Sequence, residues 1–304
     1  MIENYIKKLI INLPNHITDR KKPLKIDLIL DGGMFNGSYL IGGLYFLKEL
    51  EHLQYIKIER ISGCSIGSVM GFLYLIDALH LAESLYGLFF ENFKNKYHLP
   101  ILTNLYNLLK SYIPDDICKK IKNRFYVTYY NVKKKKKIIK KEYSSVNDIT
   151  QTLIRSCFVP IVINGNLLYK NKYIDGINPY LFPIGRRKIL YLDLYGYDKL
   201  FNSICVKNEK TNIHRIMNGL LDIHTFFIKQ SSTSMCSYMN DWNTFHKLHH
   251  NLKLKLEKVN LFIIYTILYL KKHFPPEYQS HSIHKMFSNI LYDFYTNLIG
   301  NYCV

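Results

Sequence analysis

The stretch Ile58–Leu75, IERISGCSIGSVMGFLYL, decides how the chain is read. It opens as a short strand, passes through a turn of small residues, and continues with Ile66, Val69, Met70 and Leu73 at helical spacing. The turn, Gly63-Cys64-Ser65-Ile66-Gly67, has the G-x-S-x-G spacing of a nucleophile elbow. A serine at the tip of such a turn is held in a strained backbone conformation with its hydroxyl above the sheet edge. Glycines two residues to either side, Gly63 and Gly67, leave room for it. The following helix points its positive N-terminal end at the same spot. Taken alone, the pattern also fits a plain strand-to-helix turn.

Working outward toward the N-terminus, Leu24–Leu30 is a strand with an apolar end, running into Asp31-Gly32-Gly33-Met34-Phe35-Asn36-Gly37. Helical periodicity takes over from Tyr39 to Leu53, with Leu40, Leu44, Leu47 and Leu50 on one side. A glycine-rich loop between strand and helix offers backbone N–H groups to an anion. The phosphate-loop pattern G-x-x-x-x-G-K-[ST] is absent, and an oxyanion hole suits a serine on the next strand. The first 23 residues read as an amphipathic helix ended by Pro14 and a basic linker, with no secretory leader.

Toward the C-terminus, residues 77–112 are helical in pattern and 124–131 form a strand. Lys133–Lys141 holds seven lysines in nine residues, a solvated hairpin tip or a membrane or polyanion contact. Ser145 caps a helix running to about Arg155, and Asn164-Gly165-Asn166 signals a hairpin. Lys172–Pro179, KYIDGINP, places Asp175 before Gly176, and residues 187–194 read as the last strand of the sheet. Helices are expected over 214–229, 252–272 and 284–299, and the apolar run Val259–Leu270, too short to span a bilayer, is expected to be buried, with an interfacial helix as the runner-up reading.

A DGG-x-x-x-G loop, then G-x-S-x-G, then a later Asp-Gly resembles the patatin-like phospholipases over roughly residues 26–194. The family loop is usually D-G-G-G-x-[RK]-G, so Met34 and Asn36 depart from it, and Ile177 stands where a second glycine usually follows Asp-Gly. The resemblance implies a layered α/β fold, its mostly parallel central sheet flanked by helices. It implies Ser65 as nucleophile and Asp175 as general base, with Gly32, Gly33 and Met34 as the oxyanion hole and Gly37, Gly63, Gly67 and Gly176 as supporting glycines. The activity implied is a serine lipid acyl hydrolase of phospholipase A or lipase type. Rivals are an acyltransferase using the same dyad and a weakly active lipid-binding scaffold. The scheme needs no cofactor. No metal is expected, since His246, His249 and His250 share a helical face without a carboxylate or cysteine to complete a set.

With 48% hydrophobic residues the chain is long and apolar enough for a full α/β core. The expected division is 1–23 as N-terminal helix and linker, 24–200 as catalytic domain, and 201–304 as a helical region able to cover the active site. Forty-one basic residues against 23 acidic give +18, which points to an anionic phospholipid surface, while the absence of any nucleic-acid-binding motif speaks against nucleic acid. Six scattered cysteines fit reduced thiols, hence a cytoplasmic protein, peripheral on membranes.

Overall fold

The computed structural model describes residues 2–196, 199, 203–207, 209–273, 292–293, 295–297 and 299–304. In chain order the elements begin with helices α1 (Ile2–Ile11) and α2 (Asn15–Thr18) and strand β1 (Leu24–Leu30). Helix α3 (Gly37–His52), strand β2 (Ile56–Cys64) and helices α4 (Ile66–Leu75), α5 (Leu81–Lys96), α6 (Leu105–Leu109) and α7 (Ile117–Lys120) follow. Then come β3 (Phe125–Asn131), β4 (Lys136–Lys140), α8 (Val146–Ser156), β5 (Tyr173–Asp175) and β6 (Lys188–Leu192). Helix α9 (Ile213–Lys229), strand β7 (Cys236–Tyr238) and helix α10 (Thr244–His273) complete the set. Most of the expected helix 284–299 lies outside the described residues.

The strands form one sheet in the order β4-β3-β2-β1-β6-β7. β3, β2, β1 and β6 are mutually parallel, and helices flank them. β1 occupies the middle of this set, so both its faces are covered. That is why Ile26, Leu28, Ile29 and Leu30 read as a near-continuous apolar run rather than an alternating one, and all four are fully buried. Removing the Leu28 side chain to alanine would cost about 2–5 kcal/mol. Residues 187–194 do supply β6, but it is not the last strand: β7 adds to it antiparallel at the sheet edge. Three residues, Cys236-Ser237-Tyr238, are too few to carry an alternating pattern.

β3 is the strand that joins the two halves of the site. β4 takes one of its edges, pairing Val127 through Asn131. The other edge is shared end to end. β2 covers Phe125 to Thr128, and β5, running the opposite way, covers Tyr129 to Asn131.

Two segments differ from their sequence patterns. Asn164-Gly165-Asn166 does not join two strands. Ile161 N–H donates to Asn166 O at 2.8 Å and Gly165 N–H to Ile161 O at 2.8 Å, closing a compact loop. Val259–Leu270 is not buried. It is the second half of α10, whose inner side alone is covered, at Lys253, Glu257 and Ile264. Phe262 is 71% exposed and Leu270 54%.

Candidate active site

β2 ends at Cys64 opposite Thr128, and β5 ends at Asp175 opposite Tyr129, the next residue of β3. Two strands that meet head to head along one partner bring Ser65, the residue after β2, against Asp175. Ser65 sits at φ 48°, ψ −133°, between β2 and the first turn of α4. That backbone conformation costs an L-residue about 1–3 kcal/mol, and the elbow is held by close packing. A Cβ on Gly67 would lie 2.4 Å from the Asp31 carbonyl oxygen, so only glycine lets the elbow dock on the DGG loop. On the other side, Ser65 N–H donates to Ser156 Oγ at 3.0 Å, and Ser156 Oγ donates to Thr128 O at 2.6 Å. The end of α8 thus fixes the elbow.

Asp175 is buried, and its carboxyl is pushed up to about 7, chiefly by desolvation. Hydrogen bonding to the Ser65 hydroxyl and to the N–H groups of Ile177 and Gly176 acts in the opposite direction, while the nearby Glu257 charge raises it further. Ile177 N–H reaches Asp175 Oδ1 at 3.1 Å. A carboxyl in this range is ionised enough at neutral pH to accept a proton and basic enough to hold it.

The DGG loop closes the third side. Gly33 has φ 156°, and Met34 starts a short 3-10 turn, Met34–Asn36, at φ 46°. The N–H groups of Gly33 and Met34 donate to no protein acceptor among the described residues, whereas Gly32 N–H is engaged by Asp31 Oδ1 at 2.9 Å. Ile177 likewise takes φ 52°. The two positions where the sequence replaces an expected glycine therefore keep the left-handed backbone and carry its strain, about 1–2 kcal/mol each.

Asn36 is fully buried and holds the loop from behind. Its Nδ2 donates to Leu194 O at 3.0 Å and Lys199 O at 2.8 Å, and its Oδ1 accepts from Arg215 Nη1 at 2.9 Å. Arg215 comes from α9, is itself fully buried, and is paired with Glu209. A guanidinium thus stands behind the loop although the loop's own residue is neutral.

A second group of charges, unmarked in the sequence, meets beneath the loop. Lys253 of α10 donates to Asp31 Oδ2 at 2.5 Å and to Asp193 Oδ1 at 2.8 Å. Tyr191 OH donates to Asp31 Oδ2 at 2.9 Å. Burial raises Asp31. Burial also acts to raise Asp193, but His249 at 3.2 Å and Lys253 outweigh it and hold that carboxyl well below the usual range. One turn further along α10, Glu257 Oε2 accepts from Asn178 Nδ2 at 2.5 Å and pairs with Lys137 Nζ at 3.1 Å. Their only local signature is an opposite-charge pair at i, i+4, which on most helices is a solvated surface pair.

Ser65 opens on an apolar cavity of about 50 Å³ lined by Met34, Phe35, Met70, Tyr86, Phe89 and Leu102 among others. A larger cavity of about 270 Å³ between Trp242 and the start of α10 does not reach Ser65. Cys64 and Cys157, beside the serine, are buried, which pushes both thiols well above their ordinary range and makes them poor nucleophiles. Of the histidine cluster, His249 pairs with Asp193, His246 bonds Asn243 Oδ1 at 2.7 Å and His250 packs on Trp242. Among the described residues no three His, Cys, Asp or Glu side chains are arranged to hold a metal.

Fold and site together define a layered α/β protein with a serine on a nucleophile elbow, faced by a buried carboxyl. A family model described as patatin-like phospholipase matches residues 28–179, half of the 304-residue chain. The chain belongs to that family, one of lipid acyl hydrolases. No curated protein matches it.

Proposed function

We propose that the protein is a serine lipid acyl hydrolase working through a Ser65–Asp175 dyad. The observation that carries this is the meeting of a strained serine with a buried carboxyl raised to about 7, at the mouth of an apolar cavity. Ser65 Oγ attacks the ester carbonyl carbon while Asp175 takes its proton. The N–H groups of Gly33 and Met34 bind the oxyanion of the tetrahedral intermediate. Its collapse breaks the ester bond, and the alcohol leaves with the proton held by Asp175. Water then attacks the acyl-Ser65 carbonyl, gives its proton to Asp175, and the fatty acid departs as Ser65 regains its hydrogen. The cavity suits an acyl chain better than a headgroup, because Met34, Phe35, Met70, Phe89 and Leu102 line most of it and the hydroxyls of Ser65 and Tyr86 are its few hydrogen-bonding groups.

The test is labelling with a fluorophosphonate ester followed by peptide mapping. Label on Ser65, absent in Ser65→Ala together with ester hydrolysis at unchanged melting temperature, supports the proposal. Full activity in the alanine variant rejects it. Product analysis with and without an added alcohol separates hydrolysis from acyl transfer.

A further inference from the structure

Helix α10 touches the catalytic loops along one side and solvent along the other. Its inner side is pinned at Lys253 to Asp31 and at Glu257 to Asn178, three residues after Asp175. Asn243 Oδ1 accepts from His246 N–H at 3.0 Å and starts the helix, and no Gly or Pro interrupts it. The outer side is not the polar face that a helix of this kind normally turns to water. Leu248, Leu252, Leu256, Val259, Ile263 and Leu270 recur at spacings of three, four and seven and are 48–65% exposed. The row is about 33 Å long at 1.5 Å per residue. The apolar residues that suggested a buried helix are thus real, but most of them face outward.

Two neighbouring features decide what such a row meets. Lys247, Lys255 and Lys258 are exposed beside it, and the only carboxylate of α10, Glu257, is buried on the inner side. The lysine-rich tip of the β3–β4 hairpin borders the same helix. Tyr265 OH donates to Val132 O at 3.0 Å, and Lys135 Nζ lies 5.7 Å from the centre of the Tyr265 ring. Lys133–Lys136 are exposed there, while Lys137 and Lys140 are paired with Glu257 and Asp148. Packing two copies along this row would bring lysines against lysines with no exposed carboxylate on the helix to pair them. An anionic lipid layer suits both rows, with the leucines in the acyl boundary and the lysines among headgroups.

We infer that the outer face of α10, with the Lys133–Lys136 tip, is the surface by which the protein docks on anionic phospholipid. Docking there would set against the lipid the helix that packs on the Asp31 and Asn178 loops. This rests on the acyl-hydrolase proposal for its purpose but is tested apart from it.

The test is sedimentation of the full chain with vesicles of phosphatidylcholine alone and of equimolar phosphatidylcholine and phosphatidylserine. Wild type and Ser65→Ala should both bind the anionic vesicles, and binding should weaken as salt rises. The combined variant Leu252→Gln, Leu256→Gln and Ile263→Gln should lose at least about tenfold in binding with unchanged melting and unchanged hydrolysis of a short soluble ester. Lys133→Gln with Lys134→Gln and Lys135→Gln should weaken anionic binding severalfold. Binding with no soluble-ester hydrolysis in wild type would keep the docking surface and remove the hydrolase. Wild-type binding by the leucine and isoleucine variant overturns the inference. So does a wild type that sediments with neither vesicle, or a dimer that the triple variant splits while vesicle binding stays.

Discussion

Two buried carboxylates stand on adjoining strand ends and are treated in opposite ways. Asp31, at the end of β1, receives an ammonium from Lys253, a hydroxyl from Tyr191 and the Gly32 N–H. Asp175, at the end of β5, receives backbone N–H groups and the Ser65 hydroxyl, with a carboxylate, Glu257, as its charged neighbour. Burial raises both, but only Asp31 has a cation to offset it. The difference teaches what each is for. A paired carboxylate is a good strut, and Asp31, though raised by its burial, orients the peptide that begins the DGG loop. An unpaired one is costly to bury and basic enough to be useful.

The largest expected effect breaks the useful half. Asp175→Asn keeps the shape and removes the base, and turnover should fall by about 10³-fold, within the range of general-base contributions. Wild-type kcat/KM on a soluble ester should fall about tenfold per pH unit below the apparent pKa, which lies near 7. A profile flat between pH 5 and 8 would take the base away from Asp175.

Breaking the other half should cost stability. Lys253→Met leaves buried Asp31 without its cation and partly buried Asp193 with His249 alone, which should destabilise the protein by about 3 kcal/mol at neutral pH. The loss should shrink in acid as those carboxyls protonate. Denaturant titration at two pH values checks both the size and the direction.

The same comparison has a stability face at Asp175. Its folded value of about 7 exceeds the ordinary 3.8, so the folded chain binds a proton the unfolded chain has released. The stability this proton contributes is full below 3.8 and is lost as pH rises through about 7. Asp175→Asn does not titrate, so its melting temperature should gain on wild type between those values. Above them the advantage should be constant, at about 2 kcal/mol or more.

The smallest effect concerns the backbone between the two acids. Met34 holds φ 46° where glycine would be unstrained. Met34→Gly should stabilise by about 1 kcal/mol with activity changed only a few-fold, since the loop acts through N–H groups. A thermal melt decides, and a lower melting temperature with lost activity would mean that the methionine's contacts in the cavity outweigh the strain.

The elements that frame the candidate site were legible because each is local. A strand, a glycine loop and a helix read out at Leu24–His52, the elbow at Ser65, and the α8 cap at Ser145, whose Oγ accepts from Asp148 N–H at 3.1 Å. What escaped is what joins distant positions. Arg215 meets Asn36 across 179 residues and Lys253 meets Asp31 across 222, and no spacing marks either pair. The apolar run of α10 misled for another reason. Composition reports how apolar a segment is, not whether anything covers it, and here only one side is covered. Asn164-Gly165-Asn166 carried a sound turn signal, with Gly165 at φ 76°, but no strands flank it to make a ladder.

The late place of α10 in the chain also sets an order of events during synthesis. Asp175 and Lys253 are separated by 253 − 175 = 78 residues, which a ribosome adding about 5–20 residues per second covers in several seconds. Throughout that interval the elbow, the loop and the unpaired acid have been made, but Asp31 still lacks its ammonium and the loop its strut. The DGG loop is therefore braced from behind only after α10 has been made.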